Sequence, residues 1–194
     1  MEALRAVVAT QNANKVRELR EALPGWELEP LVADEWPEET GETYLENASL
    51  KARFGRALAP PEAWVLGEDS GIECDALDGA PGLHSARWSP RGDQADALLE
   101  RLGGEPNRRA RMVAELVAIS PGGEEFRGRG AIEGRVALER RGQGGFGYDP
   151  VFVPAGQERT VAELGEEWKR EHSHRGRAAR ALASAVAPDS RPSG

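Results

Sequence analysis

Short apolar runs alternate with segments of helical periodicity along this chain, and the alternation constrains the fold more than any other feature. The strand-type runs are residues 4–9, 26–32, 63–67, 72–77, 111–120, 125–129 and 131–138. The helix-type segments are residues 15–23, 44–58, 93–102 and 166–186, the last interrupted near Gly176. No linker, repeat or low-complexity block divides the sequence. We therefore predict one α/β domain over residues 1–187, with a mixed β-sheet flanked by helices, and a disordered tail at 188–194.

Composition excludes several classes of function. The 194 residues carry a formal net charge of −8, and an acidic chain lacks the clustered cations that binding DNA or RNA requires. The single cysteine, Cys74, rules out an internal disulfide and suits a reducing compartment. The first residues do not resemble a signal peptide, and no apolar run approaches the roughly 20 residues that span a bilayer. We expect a cytoplasmic protein that binds neither nucleic acid nor membrane.

Lysine is rare in this chain. Three lysines, Lys15, Lys51 and Lys169, stand against twenty-two arginines, although both residue types suit a charged surface. Lysine carries a compact, rotatable charge, whereas arginine presents a planar fork, so a retained lysine indicates a task that arginine does not perform. A phosphate-rich ligand would explain all three. The alternative is that they are ordinary surface residues.

Residues 10–15 follow the first strand and open the first helix. A helix N-terminus presents free backbone N–H groups and the positive end of the helix dipole, which together favour phosphate. The polar side chains there are equally suited to capping the helix. The segment consists of Thr10, Gln11, Asn12, Ala13, Asn14 and Lys15.

Two acidic segments offer hard oxygen ligands of the kind that Mg²⁺ prefers. Glu38 and Glu39 lie in a loop, and Asp69 follows the strand-type run 63–67, which places it at a predicted strand end where working residues of α/β sheets are common. Ser70 and the glycine after it predict a tight turn. The alternative is that the glutamates are solvated loop charge and Asp69 is a turn residue.

Two further segments contain groups that suit a nucleobase. The glycine-rich stretch 144–150 holds Phe146, whose ring can stack on a purine, and Asp149, which can accept hydrogen bonds from a base edge or a sugar. The last helix holds Lys169, His174 and Arg175, which can donate to carbonyl oxygens on a base. A glycine-rich turn and a charged helix face are the corresponding structural explanations.

Taken in order, these segments resemble the inosine triphosphate pyrophosphatase family, also described as Ham1-like non-standard purine nucleoside triphosphate pyrophosphatases. The matching stretches are residues 10–15, 39–48, 68–88, 144–152 and 173–175, with Lys51 and Lys169. They extend over nearly the whole chain, and the stretches at 68–88 and 144–152 are long and specific. One departure is Gln11, at a position where glycine is common in the family.

The resemblance implies a long mixed sheet with a central nucleotide cleft, a homodimer, and Mg²⁺-dependent cleavage of ITP, dITP and XTP into a monophosphate and pyrophosphate. It implies that Asp69 is the general base and a metal ligand, with either Glu38 or Glu39 as a second ligand. Glu68, next to Asp69, is expected to be without consequence. The implied substrate-binding residues are Thr10, Gln11, Asn12, Ala13, Asn14, Lys15, Lys51, Ser70, Phe146, Gly147, Tyr148, Asp149, Lys169, His174 and Arg175.

Two other functions remain open at this stage. One is a related pyrophosphatase for modified pyrimidine triphosphates, of the kind proposed for Maf-like proteins, against which the stretches at 68–88 and 173–175 argue. The other is a nucleotide-binding sensor without turnover, against which Asp69 and the acidic pair at 38–39 argue. A substrate panel separates the first from a purine enzyme, and pyrophosphate release excludes the second.

Overall fold

Six strands form one mixed sheet in the order β2-β1-β3-β4-β5-β6. The computed structural model describes residues 3–187, so the tail predicted for 188–194 lies outside the described residues. β1 runs parallel to β2 and β3, whereas β3 to β6 pair antiparallel. The elements are β1 Leu4–Ala9, α1 Ala13–Ala22, β2 Trp26–Pro30, α2 Tyr44–Leu58, β3 Trp64–Cys74, α3 Gln94–Leu102, β4 Arg109–Ile119, β5 Glu125–Val136, β6 Phe152–Pro154, α4 Val161–His172 and α5 His174–Val186. The prediction of an α/β domain with a mixed sheet is confirmed.

The helices cover both faces of the sheet. α1 and α5 pack on one face, where Leu19 and Leu182 meet Leu66 and Leu116 in the largest part of the core. α2 packs on the opposite face through Ala48 and Ala52. Within the described residues, no helix has the length and hydropathy that a membrane crossing requires.

Two glycines allow helices to approach the strands closely. A Cβ at Gly67 of β3 would lie 2.0 Å from the carbonyl oxygen of Ala48 in α2. A Cβ at Gly130 of β5 would lie 2.1 Å from the carbonyl oxygen of His174 in α5. Both distances are far below van der Waals contact, so these positions require glycine and draw α2 and α5 onto the sheet.

The prediction that Asp69 lies at a strand end is wrong. β3 continues through Ser70 and Gly71 to Cys74, because β4 pairs with it in register from Val65 to Cys74 and supplies hydrogen bonds along this length. Gly71 makes no turn. A Cβ there would lie 2.4 Å from the carbonyl oxygen of Gly82, so its small size admits the neighbouring 3-10 turn Gly82–Arg87.

Several other boundaries differ from prediction, and three of the differences have a clear physical cause. The runs 125–129 and 131–138 form the single strand β5, because β4 pairs with both. α4 begins at Val161, where Thr160 and Glu163 form a capping box. The last two helices separate at Ser173 and not at Gly176, because Ser173 has extended backbone angles and its side chain accepts the Gly176 N–H to cap α5.

Candidate active site

The segment between β1 and α1 forms one wall of a cavity of about 290 Å³. Asn12 caps α1, since its Oδ1 accepts the N–H groups of Asn14 at 3.0 Å and Lys15 at 3.4 Å. Asn12, Asn14 and Lys15 line the cavity. Thr10 accepts the Asn12 N–H, and the exposed Gln11 and Ala13 lie outside the cavity lining. Capping and ligand binding are therefore compatible in this segment.

Glu68 in β3 is completely buried and pairs with Lys15, which belongs to this wall. Its carboxylate lies 2.7 Å from Lys15 Nζ and 3.0 Å from Arg175 Nε. Burial alone would raise the pKa of this carboxyl group, but Lys15 and Arg175 hold it well below its ordinary value. The expectation that Glu68 is without consequence is wrong, because it fixes two cations of the site.

Asp69 points to the opposite face of the sheet from Glu68. Its Oδ1 lies 2.9 Å from Lys51 Nζ, and its Oδ2 accepts a hydrogen bond from Asn47 at 3.3 Å. Lys51 also donates to the carbonyl oxygen of Glu68 at 3.1 Å. Burial raises the pKa of Asp69 although Lys51 opposes the shift, and a raised pKa suits a carboxylate that accepts a proton.

Of the two loop glutamates, Glu39 is the one linked to Asp69, through Lys51. Glu39 Oε1 lies 2.5 Å from Lys51 Nζ, so the lysine bridges the carboxylates of Glu39 and Asp69. Across residues 3–187, Glu38 makes no side-chain hydrogen bond or ion pair. The structure thus favours Glu39 over Glu38 as the second metal ligand that the sequence left open.

The donor set at this position fits Mg²⁺. No three His, Cys, Asp or Glu side chains of the described residues form a metal-binding group by themselves. Mg²⁺, however, is commonly held by one or two carboxylates together with substrate phosphates and water. Glu39 and Asp69 supply two hard oxygen ligands that already share one cation, the Lys51 ammonium.

The glycine-rich loop places Phe146 in the cavity wall, and Asp149 of the same loop holds its backbone in position. Asp149 Oδ2 accepts the Phe146 N–H and the Lys169 ammonium, each at 2.8 Å. Lys169 Nζ lies 5.0 Å from the centre of the Phe146 ring, within cation–π range. Gly145, at φ 73°, leaves no room for a Cβ beside Asp149. Asp149 therefore holds the loop in place, a role in addition to the predicted contact with base or sugar.

Tyr148 and Gly147 complete this side of the cavity. The Tyr148 hydroxyl donates to the carbonyl oxygen of Ser85 at 2.8 Å, which ties the glycine-rich loop to the turn Gly82–Arg87. The loop and the turn therefore form two linked walls.

The start of α5 supplies the remaining polar groups. Arg175 donates to Ser70 Oγ at 2.9 Å and pairs with Glu18, which also pairs with Lys169. His174 lines the cavity, and its Nδ1 has no partner within the described residues. Burial, reinforced by Arg175, lowers the pKa of His174 to about 3, so the imidazole is neutral near pH 7.

Sequence reasoning missed Glu18, which ties Lys169 and Arg175 together. The available signal was a carboxylate between Val16 and Leu19 on the apolar side of a predicted helix. A charge in that setting is buried and needs a cation.

The structure brings most predicted substrate-binding residues to one cavity. The predicted residues that line it are Asn12, Asn14, Lys15, Ser70, Phe146, Gly147, Tyr148, Asp149, His174 and Arg175. The predicted residues outside its lining are Thr10, Gln11, Ala13, Glu38, Glu39, Lys51, Asp69 and Lys169. Residues that line the cavity without having been predicted are Gly71, Ser85, Ala86, Gln94 and Met112. Lys51, Asp69 and Glu39 form a separate charged cluster on the face of the sheet that α2 covers.

The chain matches known proteins over most of its length. The model of the Ham1 family matches residues 6–185. The chain is 48% identical to the dITP/XTP pyrophosphatase of Deinococcus deserti, over 92% of this chain and 88% of that protein. It is 50% identical to the dITP/XTP pyrophosphatase of Symbiobacterium thermophilum, over 90% of each. The solved Staphylococcus aureus Ham1 protein superposes with a TM-score of 0.79 at 33% identity, over 93% of this chain and 96% of that one. This chain belongs to the Ham1 family.

Proposed function

We propose that this protein is a Mg²⁺-dependent pyrophosphatase that hydrolyses ITP, dITP and XTP to the nucleoside monophosphate and pyrophosphate. The names of the similar proteins from Deinococcus deserti and Symbiobacterium thermophilum support this substrate class. The single observation that carries the proposal is the position of Asp69. This buried carboxylate is held by Lys51, and the two residues that follow it, Ser70 and Gly71, line the cavity of about 290 Å³ together with Lys15.

The base would stack on Phe146, whose ring lies in the cavity wall. The neighbouring Lys169 and Arg175 carry only donors, and His174 keeps one unpartnered ring nitrogen. A 6-oxo group accepts hydrogen bonds from such donors. The 6-amino group of adenine would instead face donors, a polar mismatch that discriminates strongly between substrates.

The phosphates would lie along the start of α1. Its first backbone N–H groups and Lys15 provide positive charge on that side, and Lys51 provides it on the other. Hydrolysis at the α phosphorus requires that phosphate charge be neutralised in the transition state. Mg²⁺, when bound through Glu39 and Asp69, supplies part of that neutralisation.

Asp69 would act as the general base. Its pKa is raised by burial, so the carboxylate accepts a proton from an attacking water more readily than an exposed aspartate would. The hydrogen bonds from Lys51 and Asn47 orient it. Glu39, which shares Lys51 with Asp69, ties the metal site to the base.

Three further properties belong to this proposal. We propose that the protein removes deaminated purine nucleotides before they enter nucleic acid, that it works in the cytoplasm, and that it is a homodimer. The family resemblance supports all three. Light scattering of the purified protein tests the dimer directly.

The experiment that tests the activity is pyrophosphate release from ITP, dITP, XTP, GTP, ATP and dUTP with Mg²⁺. We expect rapid release from ITP, dITP and XTP and little from ATP. Release from dUTP alone would support the pyrimidine alternative. The absence of release from every triphosphate, with binding retained, would support a sensor.

A further inference from the structure

Arg87, at the end of the turn Gly82–Arg87, reaches across to Glu39. Its Nη1 lies 2.7 Å from Glu39 Oε2, and its side chain is 56% exposed. The other oxygen, Glu39 Oε1, lies 2.5 Å from Lys51 Nζ. Both oxygens of Glu39 therefore already hold a cation. A metal ion that approaches Glu39 is repelled by both charges, so the departure of one of them favours metal binding.

The two cations differ in how firmly they are held. Lys51 is buried and has three partners, which are Glu39, Asp69 and the carbonyl oxygen of Glu68. Within residues 3–187, Arg87 makes its only side-chain hydrogen bond and ion pair with Glu39. An exposed single ion pair contributes little free energy, because water competes for both charges. Arg87 is therefore the more easily displaced of the two cations.

The backbone that carries Arg87 is fixed at the edge of the cavity. Ser85 Oγ accepts the Ile72 N–H at 2.9 Å and donates to the Gly82 carbonyl oxygen at 2.6 Å. Ser85 O accepts the Tyr148 hydroxyl, and Ser85 and Ala86 both line the cavity. A guanidinium released from Glu39 would consequently stay at the edge of the cavity.

We propose that Arg87 exchanges partners when substrate binds: it neutralises Glu39 in the free protein and moves to phosphate oxygens when Glu39 turns to the metal. This inference rests on the proposed function. Arginine suits the second partner, since its planar fork matches two phosphate oxygens at once. No covalent bond is made or broken in the exchange. As a consequence, Glu39 stays paired with Arg87 until nucleotide and metal bind together.

The first test measures the metal alone, without nucleotide. Mn²⁺ binding is followed by electron paramagnetic resonance of the free ion for wild type, Arg87→Ala and Arg53→Ala. Arg53 is the matched control, because it forms an exposed arginine–glutamate pair with Glu125 at 3.0 Å outside the cavity. We expect Arg87→Ala to bind Mn²⁺ about two- to fivefold more tightly, which is the fold-change of one exposed ion pair, and Arg53→Ala to match wild type. Unchanged or weaker Mn²⁺ binding in Arg87→Ala overturns the exchange.

The second test measures nucleotide binding without turnover. Calorimetry with α,β-imido ITP and Mg²⁺ should show binding weakened about tenfold or more in Arg87→Ala, the loss expected for a charge-assisted hydrogen bond. Arg87→Lys should recover most of the affinity, and Arg87→Gln should not. Wild-type affinity in Arg87→Ala overturns the proposal. If the proposed function itself fails, the wild type releases no pyrophosphate from any purine triphosphate, a result independent of the Mn²⁺ measurement.

Discussion

Glu68 and Asp69 are neighbours in β3, yet their carboxylates lie on opposite faces of the sheet and bind different lysines. Glu68 pairs with Lys15 on the α1 and α5 side, and Asp69 pairs with Lys51 on the α2 side. The alternation of side chains along a strand produces this separation. Two adjacent residues thereby serve two purposes: Glu68 orders the cations around the cavity, and Asp69 faces the proposed metal site.

Replacement of Asp69 by Asn should abolish most turnover, because the amide has nearly the same shape but accepts no proton. We expect kcat for ITP to fall by about 10²–10⁴-fold, the usual contribution of a general base. Asp75→Asn is the matched control, since Asp75 is exposed and pairs only loosely with Arg109 at 3.5 Å. A kcat within threefold of wild type for Asp69→Asn, about the scatter of such measurements, would rule out this residue as the base.

The two loop glutamates provide their own matched pair. Glu39→Gln should raise the Mg²⁺ concentration needed for half-maximal activity by about tenfold or more, because it removes the carboxylate that shares Lys51 with Asp69. Glu38→Gln, at the adjacent residue and outside this contact, should depend on Mg²⁺ concentration like the wild type. The measurement is initial rate against Mg²⁺ concentration at saturating ITP. The reverse ranking would show that Glu38 is the metal ligand.

Replacement of Glu68 by Gln should destabilise the protein strongly. Removing one partner of a fully buried ion pair leaves Lys15 without its counter-charge and leaves Arg175 with Glu18 alone, a loss of about 3–5 kcal/mol in the free energy of unfolding. Urea unfolding measures this change. Glu27→Gln, in an exposed pair with Arg5 at 3.7 Å, should stay within about 0.5 kcal/mol of wild type. Equal effects of the two substitutions would contradict the role given to Glu68.

The pH dependence of stability should carry a contribution from His174. The folded pKa, near 3, lies below the ordinary value of 6.5, so only the unfolded chain takes up this proton as the pH falls between those values. Stability should therefore decrease as the pH falls below about 6.5, with a slope of at most about 1.4 kcal/mol per pH unit.

Urea unfolding from neutral pH down to about pH 5 tests this slope, and that range stays above the region in which the lowered pKa of Glu68 acts. His174→Gln should reduce the slope. His172→Gln, at an exposed position, should not change it. An unchanged slope in His174→Gln would mean that His174 binds its proton equally in the folded and the unfolded chain, which contradicts the lowered pKa.

Local patterns predicted the elements well and the contacts between them poorly. The helix Tyr44–Leu58 and the strand Leu4–Ala9 have the bounds that apolar spacing indicated, because both depend on near neighbours in sequence. The continuation of β3 through Asp69 depends on pairing with β4, which local alternation does not reveal. Residues at 68–71 thus looked like a turn.

The buried ion pairs of Arg175 could not be predicted from local patterns either, because the partners are far apart in sequence. The partners Glu18 and Arg175 are 157 positions apart, and Glu68 and Arg175 are 107 positions apart. Residue type indicated that Arg175 belongs to the site, whereas only the fold shows which carboxylates hold it. The family resemblance predicted that residues such as Lys169 belong to the site. It did not predict that Glu18 pairs with both Lys169 and Arg175.

β1 has six residues and β3 has eleven, and β1 ends at Ala9 opposite Gly67. On the side of β3 where β1 lies, no strand of the described sheet therefore runs alongside Glu68, Asp69 and Ser70, and the chain turns away there toward Asn12. The short length of β1, and not the identity of any side chain, leaves open the space in which a triphosphate would lie. Extending β1 by three residues would close that space with every proposed ligand-binding group still present.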